Sequence, residues 1–510
     1  MFASNMCLVF LIWCQVLNLS AAANEETPAD DVITLRNGTL STAPSDRPAD
    51  HSPGADWETE IKGAASDGQG SFSGFRSHQE KLLEELKDYK FVFPHVISGR
   101  EKRSVAKPAQ RNYPNHISIS VQLEGKELTL DLRRNNLLLP RGFQVSHYDS
   151  NGTLVTEKET ELYRCCYEGS VRKFPGSQVS ATICSGLSAL IVFVNRTYII
   201  EHLEGDKLGR HVLYRPEDLP PASSNCGVKN TSPVLTLTEH LQRSQRVKRD
   251  VLKERRYVEL VLVGDNTLYQ NVGSNKDAVV KRLLNVANTV DLYYRPFNIR
   301  VALIGVEVWT RDQIAVDRSA SITLHRFLKW RETNLLPRVH NDNSHLITGR
   351  TFSKGIAGLA IMTVMCSRQD SGGVNSDNRP SHLAASATVA HEMGHNLGMA
   401  HDTDSRHCNC PDQQGCIMEE ALSFVLPTSF SSCSQQDLVN NLKRGVAVCL
   451  SNLPIVDKLI GGVECGNQYV ERGEQCDCGK PALIKYLGIV ANVEGNVAAL
   501  CSQQIPQIVN

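Results

Sequence analysis

The stretch His391-Glu392-Met393-Gly394-His395-Asn396-Leu397-Gly398-Met399-Ala400-His401-Asp402 constrains this chain more than any other. On a helix, His391 and His395 leave the same face, because residues four apart stack one turn over the next. Two neutral imidazole nitrogens so placed can grip one Zn2+. Glu392, between them, is positioned to take a proton from a water that the metal activates. Gly398 is expected to end the helix in a left-handed turn and reverse the chain. The reversal would bring His401 round as a third ligand and leave one position open to water. Three protein ligands plus water is the pattern of a catalytic zinc, whereas structural sites are closed by four.

The extended spacing resembles the metzincin signature. Asp402, directly after the third histidine, narrows the resemblance to the reprolysin branch, the snake-venom metalloproteinases and the membrane-anchored ADAM proteins. Met418, in Cys416-Ile417-Met418, stands where that family has its Met-turn, an apolar floor under the metal. The resemblance implies an α/β metzincin catalytic domain with a mostly parallel sheet, preceded by a β-rich prodomain and followed by a disintegrin fragment. It implies Zn2+ as cofactor, proteins as substrates and Glu392 as the catalytic residue.

The chain has 510 residues, enough for two or three domains, with a formal net charge of -1. That balance gives no reason to expect a nucleic-acid partner. Of 16 cysteines, six fall between Cys366 and Cys449. With histidines supplying the zinc site, disulfides in an oxidising compartment are the better reading of them. An apolar run from Cys7 to Leu17, ending in Ala21-Ala22-Ala23, predicts a signal peptide over 1–23, although its start lacks Lys and Arg. Sequons at Asn37, Asn151, Asn195 and Asn230 suit a secreted glycoprotein.

Residues 24 to about 75 have few large apolar side chains and read as a disordered leader within a prodomain of 24–249. From about 113 to 220 the period-two runs Ile117–Val121 and Leu128–Leu132 predict a small β-rich domain. The run Tyr163 to Gly169 resembles the ADAM prodomain; either Cys165 or Cys166 is expected to pair with Cys184. Cys226, in Asn225-Cys226-Gly227-Val228, resembles the family's cysteine switch. A thiolate there would fill the open zinc position in the latent form. Arg246-Val247-Lys248-Arg249 reads as a proprotein-convertase site, with cleavage after Arg249.

The catalytic domain is expected over 250–455. Strands are predicted at Tyr257–Val263, Arg300–Trp309 and His345–Thr348, and helices at Lys276–Tyr294, about Ile322–Asn334, Leu383–Ala400 and Gln435–Lys443. The apolar run Gly355–Met365 is, by the resemblance, the edge strand above the zinc, onto which a substrate peptide would add.

Six cysteines admit many pairings. The resemblance implies Cys366–Cys449, Cys408–Cys433 and Cys410–Cys416. It also implies a structural Ca2+ held by Glu259, Asp342, Asn452 and the carbonyl of Cys449. Cys465 to Gly479 resembles the opening of a disintegrin domain (456–479), and a divergent tail occupies 480–510. Without the Arg-Gly-Asp loop, integrin binding is not expected, and the product is expected in the extracellular medium. Within the family, the Cys165-Cys166 doublet and the run from Arg295 through Arg338 resemble the metargidin-like branch, with the meltrin-like branch as the close alternative. The competing reading is a non-catalytic adhesion or decoy protein, or a truncated isoform of a membrane-anchored ADAM.

Overall fold

The computed structural model describes residues 77–98, 101–105, 113–158, 163–206, 208–220, 224–228, 251–411, 415–422 and 426–451. The expected signal peptide, leader, Arg249, Asn452, the disintegrin fragment, the tail and the sequons at Asn37 and Asn230 lie outside these residues.

In chain order the N-terminal part forms α1 (Ser77–Glu85), β1 (Lys90–Val92), β2 (His95–Ser98), β3 (Glu101–Ser104), β4 (His116–Leu123), β5 (Lys126–Arg134), β6 (Gln144–Tyr148) and β7 (Leu154–Lys158). It continues with β8 (Cys166–Val171), β9 (Gln178–Thr182), β10 (Ser188–Val192), β11 (Thr197–His202), β12 (His211–Tyr214) and β13 (Ser224–Cys226). The second part comprises β14 (Arg256–Gly264), α2 (Asn266–Asn271), α3 (Lys276–Tyr294), β15 (Ile299–Val308), α4 (Ala320–Trp330) and β16 (Asn343–Thr348). It closes with β17 (Ile356–Ala360), β18 (Gly372–Ser376), α5 (His382–Asn396), β19 (Ala421–Leu422) and α6 (Ser432–Lys443).

Two sheets result. The first is antiparallel throughout, with strands in the order β1-β12-β11-β10-β9-β8-β5-β4-β2-β3. It begins at Lys90, upstream of the β region read from the sequence. The second follows β19-β13-β17-β18-β16-β14-β15-β6-β7 and is mixed. Its centre (β18, β16, β14, β15) runs parallel, while β17 and β7 each turn antiparallel to their inner neighbours.

The second sheet contains strands from both parts of the chain. The hairpin β6–β7 leaves the N-terminal sheet and extends the other one, with β6 parallel to β15 in the register Gln144↔Gly305 to His147↔Val308. At the opposite end β13 inserts between β17 and β19. The N-terminal part therefore forms a sheet of its own and also lends strands to the second one.

Burial follows the period of the strands. In β14, Val258, Leu260 and Leu262 join a core shared with α3, α5 and the first sheet. Val261 and Val263 point the other way, into a second core with Trp309, Phe327 and Trp330. Helix α3 spans the residues read from the sequence, with Asn275 as N-cap accepting from the Ala278 N–H at 3.1 Å. Its buried set includes Asn288 and Asp291, because the first sheet packs on its outer side. Among the described residues no helix is long and apolar enough to cross a membrane.

One buried histidine makes the N-terminal part sensitive to acid. His211 Nε2 accepts from the Leu187 N–H at 3.0 Å, and its Nδ1–H donates to the Gly209 carbonyl at 3.1 Å. Protonation would set Nε2–H against another N–H, and burial pushes the pKa down from 6.5 to about 3. A folded value below the unfolded one means that stability is fully present above about pH 6.5 and declines as pH falls towards about 3, by at most about 1.4 kcal/mol per pH unit. The thermal midpoint of the chain is expected to drop between about pH 7 and pH 5, and His211→Gln should lessen that slope, the rest coming from other histidines whose pKa values burial lowers, among them His202, His345 and His382. An unchanged slope in the variant would remove His211 from the account.

Candidate metal centre and active site

Helix α5 opens at Ser381, whose Oγ caps the Leu383 N–H at 3.4 Å. It ends at Asn396, earlier than the Ala400 expected from the sequence. The reason is Gly398, at φ +86°, which an L side chain rarely adopts. Its N–H donates to the His395 carbonyl at 2.8 Å, and the Met399 N–H reaches back to the Gly394 carbonyl at 2.9 Å, a Schellman closure. The predicted edge strand likewise stops at Ala360. There the chain turns so that the Thr363 and Met365 N–H groups bond the His395 and Asn396 carbonyls.

The reversal at Gly398 brings three imidazoles together. His391 Nε2 lies 3.3 Å from His401 Nε2, and His395 Nε2 lies 3.1 Å from it. The Nδ1–H of His391 donates to the Ile417 carbonyl at 2.6 Å, and that of His395 to the Met399 carbonyl at 2.9 Å. With those protons committed, both Nε2 atoms turn lone pairs towards the shared centre. Cys226 Sγ sits 3.4 Å from His395 Nε2, and one donor atom from each of these four residues lies within 4.8 Å of every other.

This donor set fits zinc. Nitrogens about 2.0–2.1 Å from a tetrahedral zinc stand about 3.3–3.4 Å apart, and a thiolate sulfur stands about 3.5–3.6 Å from each. All three histidines are buried, and burial pushes their pKa values down, to about 3 for His391. They are therefore kept neutral, the form in which an imidazole can bind a metal. Burial and the Glu392 carboxylate raise the Cys226 thiol pKa. A divalent cation reverses that balance and favours the thiolate.

Glu392 is buried beside the centre. Its Oε1 accepts from Cys226 Sγ at 3.7 Å, and Oε2 has no partner. Burial raises its pKa to about 8. Gly358 and Gly373 make room for it. A Cβ at Gly358 would meet Glu392 Oε1 at 2.6 Å, and one at Gly373 would meet Glu392 Cβ at 3.4 Å. Met418 packs where Gly394 lacks a side chain, since a Cβ there would meet its Sδ at 2.6 Å. Asp402 turns away to Ser431, whose Oγ donates to Oδ1 at 2.7 Å. The Tyr294 hydroxyl donates to the Ala390 carbonyl at 2.7 Å, holding the helix backbone from α3.

Cys226 arrives on a strand. Asn225 pairs with Ile356 and Cys226 with Gly358, parallel to β17, while the Cys226 N–H donates to the Glu420 carbonyl at 2.8 Å. The wall formed by Glu420, Ala421 and Leu422 carries no local sequence signal. Only the proximity of 420–422 to Met418 hints at its place.

The sulfurs of Cys366 and Cys449, Cys408 and Cys433, and Cys410 and Cys416 are bonded. The pairing left open in the N-terminal part is Cys165 with Cys184, and Cys166 remains a buried thiol. Asp402 clusters with Cys408 and Cys433, but the bond between those sulfurs takes both out of metal binding. At the positions considered for calcium, the Glu259 N–H donates to Asp342 Oδ2 at 2.9 Å. Burial, with a smaller contribution from Glu259, raises the Asp342 pKa to about 6.

Residues 256–454 match the Reprolysin (M12B) family zinc metalloprotease domain, and residues 77–172 match the Reprolysin family propeptide. The chain is 41% identical over 380 residues to disintegrin and metalloproteinase domain-containing protein 12 of Mus musculus, covering 73% of this chain and 42% of that protein. Protein 19 of the same series, from Homo sapiens, is 40% identical over 394 residues (76% of this chain, 41% of that protein). Human protein 15 is 38% identical over 396 residues (76% and 46%). The chain thus spans less than half the length of these curated relatives. Three imidazoles around one centre, a domain match spanning all of them and a matching propeptide place this chain in the reprolysin family of zinc metalloproteases, among the ADAM proteins.

Proposed function

We propose that the chain is a zinc-dependent endopeptidase made as a latent precursor, acting on extracellular or cell-surface proteins. The observation that carries this reading is the position of Cys226. Its sulfur stands at the fourth corner of the His391, His395 and His401 cluster, on a strand that fills the slot between β17 and 420–422. Removing that strand would open both the fourth position and the slot. A substrate peptide would then lie along β17 and bond to its backbone.

His391, His395 and His401 would hold the zinc, which when bound polarises the scissile carbonyl and acidifies the attacking water. Glu392 takes the proton of that water and passes it to the leaving amine. The missing side chains at Gly358 and Gly373 leave the space that the carboxylate occupies. Met418 supplies an apolar floor. Cleavage after Arg249 by a proprotein convertase would separate the two parts, and the three disulfides of the second part suit an oxidising, extracellular setting. Asn151 and Asn195 lie exposed in turns, as glycan acceptors would. Glu259, Asp342, Cys449 and Asn452 are proposed to bind a structural Ca2+.

The test is convertase treatment of the purified chain followed by digestion of a peptide library. Cleavage that appears only after processing, stops on zinc chelation and returns with added Zn2+ is the expected result. Processed, zinc-loaded protein that cuts nothing would favour the adhesion or decoy reading.

A further inference from the structure

β15, the strand of the second part farthest from the histidines in the second sheet, is covered by the N-terminal part at its start, middle and end. Next to the first residues of β15, Asn135 Oδ1 accepts from the Arg300 guanidinium at 3.2 Å. At its middle, the Leu303 N–H donates to the Leu138 carbonyl at 2.7 Å. At its end, β6 pairs from Gln144↔Gly305 to His147↔Val308. Within 135–148, residues 136–142 form turns that touch β15 at Leu303, and 144–147 pair with it in parallel.

The same seat is cationic on its second-part side. Glu168 accepts from Arg295 at 2.9 Å and from Arg300 at 2.8 Å, and Glu157 pairs with Lys276 at the start of α3. Both carboxylates belong to the N-terminal part. Arg295 and Arg300 keep Asp291, Lys276 keeps Asp277, and Glu307 on β15 keeps Arg338 in any case. Separation of the parts would therefore bare a strand edge and deprive three cations of two carboxylates. A bare edge is a template for pairing. The chemistry of this one selects an extended chain bearing negative charge.

We propose that β15, with Lys276, Arg295 and Arg300, is a docking site for an extended acidic segment of a protein substrate, bound outside the catalytic slot. The inference rests on the proposed peptidase function and on release of the N-terminal part. From β15 to β17 is four strand spacings, about 19 Å. An occupant of the edge therefore leaves the histidines and the β17 slot open. It raises the local concentration of scissile bonds belonging to the same substrate chain.

The test uses the convertase-processed chain, separated from its N-terminal part, and a fluorescein-labelled peptide of residues 135–158 as strand probe, which carries Glu157 for Lys276 but not Glu168 and so reports on the strand edge and the Lys276 end of the seat. The probe is expected to bind with zinc present or chelated. Lys276→Glu in the protein, or Glu157→Lys in the peptide, should weaken binding by about fivefold. Unlabelled peptide should slow cleavage of casein, an acidic and extended protein, several-fold. It should leave an uncharged fluorogenic hexapeptide turning over at its normal rate. Equal slowing of both substrates would place the peptide in the catalytic slot and overturn the inference, as would failure to bind. A processed chain that dimerises, and that the peptide converts to monomer, would give the edge to a second copy instead. Normal cleavage of both substrates with peptide bound would also count against the inference. Cleavage of neither substrate without peptide would instead sink the peptidase reading on which it rests.

Discussion

Replacing Glu392 with alanine is expected to remove peptidase activity while the metal stays bound. The carboxylate lies beside the three imidazoles, its Oε1 next to Cys226 Sγ, yet it is not one of the four donors that converge on the centre. Loss of a positioned general base costs about 10²–10⁴ in rate. Zinc content, measured per chain, should match the parent. His395→Ala should lose both zinc and activity, because its Nε2 is within 3.4 Å of both the Cys226 sulfur and His401 Nε2. Turnover near the parent rate in the Glu392→Ala protein would refute the mechanism.

The second large effect concerns latency. Cys226→Ala in the uncut chain removes the sulfur that stands at the fourth corner, so cleavage of a short peptide should become measurable without processing. Activity should nonetheless stay below that of the processed chain. The Cys226 N–H bond to Glu420 and the Gly227 N–H bond to Gly358 (3.1 Å) are made by backbone and survive the substitution. An uncut variant as silent as the parent would show that the bulk of the N-terminal part, rather than the thiol, closes the site.

How much of this was legible in the sequence depended on range. The active-site helix and its histidines are encoded within a dozen residues, so spacing alone brings them together. Helix α3 is legible from Lys276 to Tyr294 because its apolar period is continuous. What failed was long-range. Gln144 to Tyr148 has no feature that names β15 as its partner, some 160 residues downstream in the register. Ser224-Asn225-Cys226 is too short and too polar to read as a strand. Gly372-Gly373-Val374-Asn375-Ser376 looks like turn chemistry, yet it forms β18. There Gly373 is needed because His345 and Glu392 approach its backbone closely. Asn288 and Asp291 suggest a solvated face of α3. Both are buried, however: Asn135 donates to both carboxamide and carboxylate, and Arg300 donates to Asp291. The sheet expected to be mostly parallel is mixed: β17 runs antiparallel to β18 within the second part, and the outermost strands β7 and β19 run antiparallel to β6 and β13.

The central claim is that one centre, built from His391, His395 and His401, takes a cysteine sulfur before processing and exchanges it afterwards. Zinc K-edge X-ray absorption on the zinc-loaded chain, uncut and convertase-cut, tests it most directly. In the uncut chain the account predicts nitrogen scatterers at about 2.0–2.1 Å and one sulfur at about 2.3 Å. After cutting and release, the sulfur should vanish in favour of a light atom while the nitrogens remain. A shell without sulfur in the uncut chain, or a sulfur that persists after the N-terminal part has gone, would contradict it.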